Sequence, residues 1–99
     1  DPIINNVDSI ENLGTYDIIY YTRFQKERSL LGTQYDIPEE YILNNKKLRT
    51  AKISSIIMHP LPRNEEINKE IDNDPRCVYF KQVENGLLIR MAILDDFFV

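Results

Sequence analysis

Tryptophan is missing from these 99 residues, and cysteine, histidine and glycine are scarce, at one, one and three. A single thiol, Cys77, cannot close an internal disulfide. It suits a reducing compartment, so the cytosol is the expected location. The one histidine, His59, has no Asp, Glu or Cys at metal-ligand spacing around it, which argues against a zinc centre and for a hydrogen-bonded structural role. Three glycines leave no Gly-rich phosphate loop. Basic residues are outnumbered, 12 Lys+Arg against 16 Asp+Glu for a formal charge of −4, and no basic run exceeds Lys46-Lys47. A phosphate-backbone footprint is therefore lacking, and no nucleic-acid partner is expected. Apolar runs stop at four or five residues, as in Ile18 to Tyr21, far short of the ~20 that span a bilayer. No membrane contact and no secretory signal are expected. The first residue is Asp1, which leads to the expectation that the chain is a piece of something larger.

What is present is 42% hydrophobic and 28% charged, the balance of one globular domain or part of one. Asp8 and Glu11 have capping-box spacing and Gly14 sits where a helix would stop, so a short helix is expected over Ser9 to Leu13. Asp17 to Thr22 is β-branched and aromatic without alternation, as in a strand covered on both faces of a parallel sheet. Residues 29 to 40 read as an ordered loop with one helical turn from Pro38. Asn44 or Asn45 caps a second short helix reaching about Ala51, its Lys46, Lys47 and Arg49 on the wet side. Ile53 to Met58 is the second strand. A strand, a helix and a strand make a βαβ unit, whose strands run parallel. The chain therefore leaves both strands at one edge of the sheet.

The last stretch admits two readings. Asn85-Gly86 between β-formers signals a hairpin. Against it, Phe80, Val83, Leu87, Met91, Leu94 and Phe98 recur at spacings of 3, 4, 4, 3 and 4, the stripe of an amphipathic helix. Gly86 inside that helix costs ~1 kcal/mol relative to Ala, and six stripe positions outweigh it.

Ligands of open α/β sheets bind beyond the carboxyl ends of the strands, which nominates Arg23 to Arg28 together with His59 to Arg63. Arg23 presents a planar fork to a carboxylate, and Gln25 offers a donor and an acceptor. A strand-end Arg paired with a surface acid is the plainer reading of that segment. In His59-Pro60-Leu61-Pro62-Arg63 two prolines lack N–H groups, leaving stiff backbone carbonyls able to accept from an NH₂ group. A cis bond before Pro60 or Pro62 is one way to aim them. A rigid strand-to-helix connector is the alternative. Cys77, among Val78, Tyr79 and Phe80, reads as a small packed side chain and not a nucleophile. Glu65, Glu66, Glu70, Asp72 and Asp74, interleaved with Lys69 and Arg76, read as a solvated face and not a cation site.

Taken together, Thr22-Arg23-Phe24-Gln25-Lys26-Glu27-Arg28, Met58-His59-Pro60-Leu61-Pro62-Arg63-Asn64-Glu65-Glu66-Ile67, Asp74-Pro75-Arg76 and Tyr79 to Ala92 closely resemble the aspartate-binding domain of the aspartate carbamoyltransferase family. The related ornithine transcarbamylases typically carry Cys where this chain has Pro60 and lack the Arg-x-Gln-Lys-Glu-Arg run. The resemblance implies an α/β fold, part of a doubly wound, Rossmann-like parallel-sheet domain that closes with a long carboxy-terminal helix. It implies residues 1–76 in the aspartate-binding domain, and a helix over 77–99 packing on a carbamoyl phosphate domain that this sequence does not contain. The implied reaction transfers a carbamoyl group from carbamoyl phosphate to the α-amino group of L-aspartate, in pyrimidine biosynthesis, within a homotrimer and without cofactor or metal. Arg23, assisted by Gln25, is the implied grip on a substrate carboxylate. Pro60 and Leu61 are the implied carbonyl acceptors for the carbamoyl NH₂, with a cis Leu61–Pro62 bond. The family's Ser-Thr-Arg-Thr and His-Pro-x-Gln segments and its catalytic His are not in this sequence, so it is expected to be inactive alone. A non-catalytic binding or assembly module that keeps the fold is the other reading.

Overall fold

The computed structural model describes residues 10–23 and 37–98. Strand β1 (Ile18–Tyr20) lies parallel to β2 (Ile56–Met58), in register Ile18↔Ile56, Ile19↔Ile57 and Tyr20↔Met58. Between them runs α1 (Asn45–Leu48), and the chain closes with the 20-residue α2 (Tyr79–Phe98). The α/β class and the βαβ connection are as the sequence indicates. On its other side β2 bridges Cys77, with Ile57 N donating to Arg76 O at 2.8 Å and Val78 N to Ile57 O at 3.0 Å. Ile57 thus has partners on both flanks and is fully buried.

Two local devices hold the connection. Asn44 Oδ1 accepts from Lys47 N at 3.0 Å and starts α1. At its far end the Arg76 guanidinium donates to the carbonyls of Leu48 at 3.1 Å and Ala51 at 3.2 Å, supplying charge and donors where a helix end needs them. The expected turn after Pro38 is a single 3₁₀ turn, Glu39–Tyr41. The core gathers Leu13, Ile19, Leu43, Leu48, Ile57, Ile67, Ile71 and Tyr79 under this unit.

Several expectations are corrected. Residues 10–13 are not helical. There Asn12 Oδ1 accepts from Gly14 N at 2.9 Å and Leu13 N donates to Thr50 Oγ1 at 3.0 Å, so side chains take the bonds a helix would use. Asp8 and Ser9 lie outside the described residues. The second strand starts at Ile56, not Ile53, because Ser55 bonds back to Lys52 O through both its N–H (3.1 Å) and its hydroxyl (2.7 Å), closing a turn that leaves Ile53 94% exposed. Lys47 is only partly on the wet side: half-buried, it donates its ammonium to Glu39 O at 2.6 Å and Ile42 O at 2.8 Å. β1 is covered on one face only among the described residues, since Ile19 is buried but Ile18 is 58% and Tyr20 54% exposed.

The hairpin alternative fails: Asn85 and Gly86 lie inside α2. A Cβ at Gly86 would meet nothing nearer than the Arg90 side chain at 3.5 Å, so no close approach demands a glycine there. Of α2 only Tyr79 is buried; every stripe residue from Phe80 to Phe98 is 42% to 77% exposed. No helix among the described residues is long and apolar enough to cross a membrane.

Candidate functional site at the strand ends

The parallel register fixes where the chain leaves the sheet. Tyr21 N donates to Met58 O at 2.9 Å, one ladder bond beyond the last register pair. Arg23 and Leu61 each lie three residues past that pair, Tyr20↔Met58, so the two exits nominated by the sequence are adjacent. Arg23 is half-buried, and Gln25 lies outside the described residues. Pro60 and Pro62 are exposed, Leu61 packs its side chain against the core, and the Leu61–Pro62 bond is cis. Leu61 has φ 52°, in the left-handed region that non-glycine residues seldom occupy.

Such a conformation persists only where its surroundings impose it. Here they do so through polar contacts under the loop. Leu61 N donates to His59 Nδ1 at 2.8 Å, and His59 Nε2 contacts Glu66 Oε1 at 2.7 Å. An Nδ1 that accepts carries no hydrogen, so Nε2 is the donor to the carboxylate. Glu66 also accepts from Asn64 N at 3.1 Å on each oxygen. His59 and Glu66 are both buried, so the expectation of a hydrogen-bonded structural His59 holds. Glu66 does not lie on a solvated face.

Beyond the loop, the Arg63 guanidinium pairs both its terminal nitrogens with Asp72, the Nη2–Oδ2 contact at 2.7 Å, and lies over the rings of Tyr79 (5.6 Å) and Phe80 (5.8 Å). Tyr79 donates its hydroxyl to the same carboxylate. The Arg63 bond holds the Asp72 carboxyl below the usual carboxylate range, and burial followed by the Asp72 contact pushes the Tyr79 phenol up. Asp74 is likewise held low by Arg76, so Glu66, Asp72 and Asp74 are built into the fold, whereas Glu65 and Glu70 stay exposed as expected, Glu70 accepting from Asn45 N at the surface. No group of three potential metal ligands occurs among the described residues. Cys77 is half-buried with its thiol pushed up to about 11 by burial, unsuited to attack at neutral pH.

Gln82 of α2 ties the edge together: its Oε1 accepts from His59 N at 3.0 Å while its Nε2 donates to Tyr20 OH at 3.1 Å. One side chain thus links the ends of both strands to the helix. Sequence reasoning missed the roles of Gln82 and Glu66 and the pairing of Arg63 with Asp72 and Tyr79. The one available signal is that Tyr79 and Gln82 stand three apart at the start of α2 and share a face.

Residues 2–96 match the family model described as aspartate/ornithine carbamoyltransferase, Asp/Orn binding domain. The chain is 51% identical over 88 residues to the aspartate carbamoyltransferase catalytic subunit of Clostridium acetobutylicum, covering 88% of this chain and 28% of that protein. It is 44% identical over 91 residues to the chloroplastic aspartate carbamoyltransferase 1 of Pisum sativum, covering 88% of this chain and 23% of that one. Among solved structures it resembles Trypanosoma cruzi aspartate transcarbamoylase in complex with aspartate and phosphate, with TM-score 0.70, 40% identity and coverage of 83% of this chain and 24% of that one. The same enzyme in complex with N-(phosphonacetyl)-L-aspartic acid gives TM-score 0.70 over 87% of this chain and 26% of that one. The chain thus spans about a quarter of the length of the relatives it matches.

Proposed function

This chain belongs to the aspartate/ornithine carbamoyltransferase family, and from that premise we propose that it supplies the carboxy-terminal part of the aspartate-binding domain of an aspartate carbamoyltransferase. The complete protein transfers a carbamoyl group from carbamoyl phosphate to the α-amino group of L-aspartate, giving N-carbamoyl-L-aspartate and phosphate in pyrimidine biosynthesis. It works as a homotrimer in the cytoplasm. Arg23 grips a carboxylate of aspartate with Gln25 beside it, and the carbonyls of Pro60 and Leu61 accept from the carbamoyl NH₂ next to Pro62. The residues that hold phosphate lie in an amino-terminal carbamoyl phosphate domain, and α2, in the segment 77–99, packs its apolar stripe on that domain.

The observation that carries this reading is the adjacency of the two strand exits, joined by the Tyr21–Met58 and Gln82 bonds. A carboxylate grip on one exit and a carbonyl pair on the other are what bringing an amino acid against a carbamoyl donor requires, and such catalysis is mainly positioning. Steady-state kinetics of the complete catalytic chain test it. Arg23→Ala should lower kcat/KM for aspartate by ~10–100-fold, the worth of a charge-assisted contact, and leave carbamoyl phosphate affinity nearly intact. An unchanged aspartate response removes Arg23 from the site.

A further inference from the structure

We infer that His59 and Glu66 form a positioning pair that sets the direction of the Pro60 carbonyl, so that Glu66, remote from the reacting atoms, controls turnover through the loop. The inference rests on the assignment of Pro60 and Leu61 to the carbamoyl contact, and deepens it.

The geometry runs through one peptide unit. Pro60–Leu61 is trans, the cis bond being the next one. In a trans unit the N–H and the C=O point to opposite sides. Leu61 N–H is fixed on His59 Nδ1 at 2.8 Å, so the Pro60 carbonyl is turned away from the buried ring, and Pro60 is an exposed residue. The ring can accept there only while its hydrogen stays on Nε2, and Glu66 Oε1 at 2.7 Å holds it there. Glu66 in turn grips Asn64 N, so one carboxylate braces the loop both at His59 and beyond Pro62.

Burial cost points the same way. His59 is 0% and Glu66 3% exposed, and apolar residues of equal volume would fill this site more cheaply than a buried carboxylate. A polar pair in such a place contributes direction, and the left-handed Leu61 directly above it is the conformation that needs directing.

The test uses the complete catalytic chain. In His59→Asn the amide oxygen takes the place of Nδ1 and keeps an acceptor for Leu61 N–H; in His59→Gln the amide reaches the Nε2 position and the acceptor is lost. The expected result is a kcat at least about tenfold higher for His59→Asn than for His59→Gln, with KM for aspartate moving less than about threefold in both. Glu66→Gln should keep most activity and Glu66→Leu lose ~10–100-fold in kcat. Leu61 amide exchange should stay slow in His59→Asn and become fast in His59→Gln. Equal kcat in the two His59 variants, or full kcat in Glu66→Leu, overturns the inference while leaving the function standing. A wild-type chain with no carbamoyl transfer to aspartate overturns the function itself, and the inference with it.

Discussion

Replacing Arg63 with Met keeps the aliphatic stem and removes the guanidinium from the centre of the group that anchors the loop to α2. The loss follows from the contacts. Two parallel charge-assisted bonds join Arg63 to Asp72, with side chains 12% and 24% exposed, so solvent screens them only in part. Between the ~0–1 kcal/mol of an exposed pair and the ~3 kcal/mol of a hydrogen bond to a buried charge, about 2 kcal/mol is the reasonable figure. Stacking over Tyr79 and Phe80 adds roughly 0.5–1 kcal/mol. A total of about 2–3 kcal/mol is a large share of the ~5–15 kcal/mol typical of a domain this size. Urea unfolding of the chain in a monomeric Leu87→Lys, Leu94→Lys background, followed by far-ultraviolet circular dichroism, should show a midpoint lower by ~1–2 M at the slopes usual for small domains. A double-mutant cycle with Asp72→Asn isolates the pair and should return a coupling of about 1–2 kcal/mol. A coupling below ~0.5 kcal/mol would show that the pair does not hold the loop.

Gly86→Ala should raise stability in the same assay by ~0.5–1 kcal/mol, because the added methyl meets only a movable Arg90 side chain at 3.5 Å; a loss would contradict the open space around Gly86. Asp72 and Asp74 are both held below their ordinary carboxyl values by Arg63 and Arg76. Their stabilisation is complete above the unfolded carboxylate range and is lost as pH falls through their folded values, so the acid limb of a stability–pH curve should flatten in Asp72→Asn. By itself the chain should self-associate through α2, since burying each stripe side chain is worth ~1.5–3 kcal/mol; sedimentation should show oligomers that Leu87→Lys with Leu94→Lys returns to monomer. A monodisperse wild-type monomer that binds no hydrophobic dye contradicts that reading.

The parts of the fold legible in the sequence are those set by local chemistry. Asn44 caps α1 and the Phe80 to Phe98 stripe is helical, while the polar breaks after Thr22 and Met58 lie just past the carboxyl ends of two strands. The misreadings occurred where a side chain diverted a backbone bond: Asn12 at the expected first helix, Ser55 at the expected start of the second strand. Continuous apolar strands signal two covered faces, and the described residues supply one. In the candidate site, Arg23 and the proline loop stood out because their types are unusual after a strand. Glu66 and Gln82 did not, because their roles depend on distant partners: Gln82 reaches Tyr20, 62 positions away in the chain. Glu66, seven positions from His59, sat in a run of acids whose spacing suggested solvent.

The most direct measurement is a structure of the complete catalytic chain with carbamoyl phosphate and L-aspartate bound. The expected result is the carbamoyl nitrogen within hydrogen-bonding distance, about 2.7–3.2 Å, of the Pro60 and Leu61 carbonyl oxygens, and an aspartate carboxylate on the Arg23 guanidinium. Both substrates held away from these two strand ends would contradict the assignment.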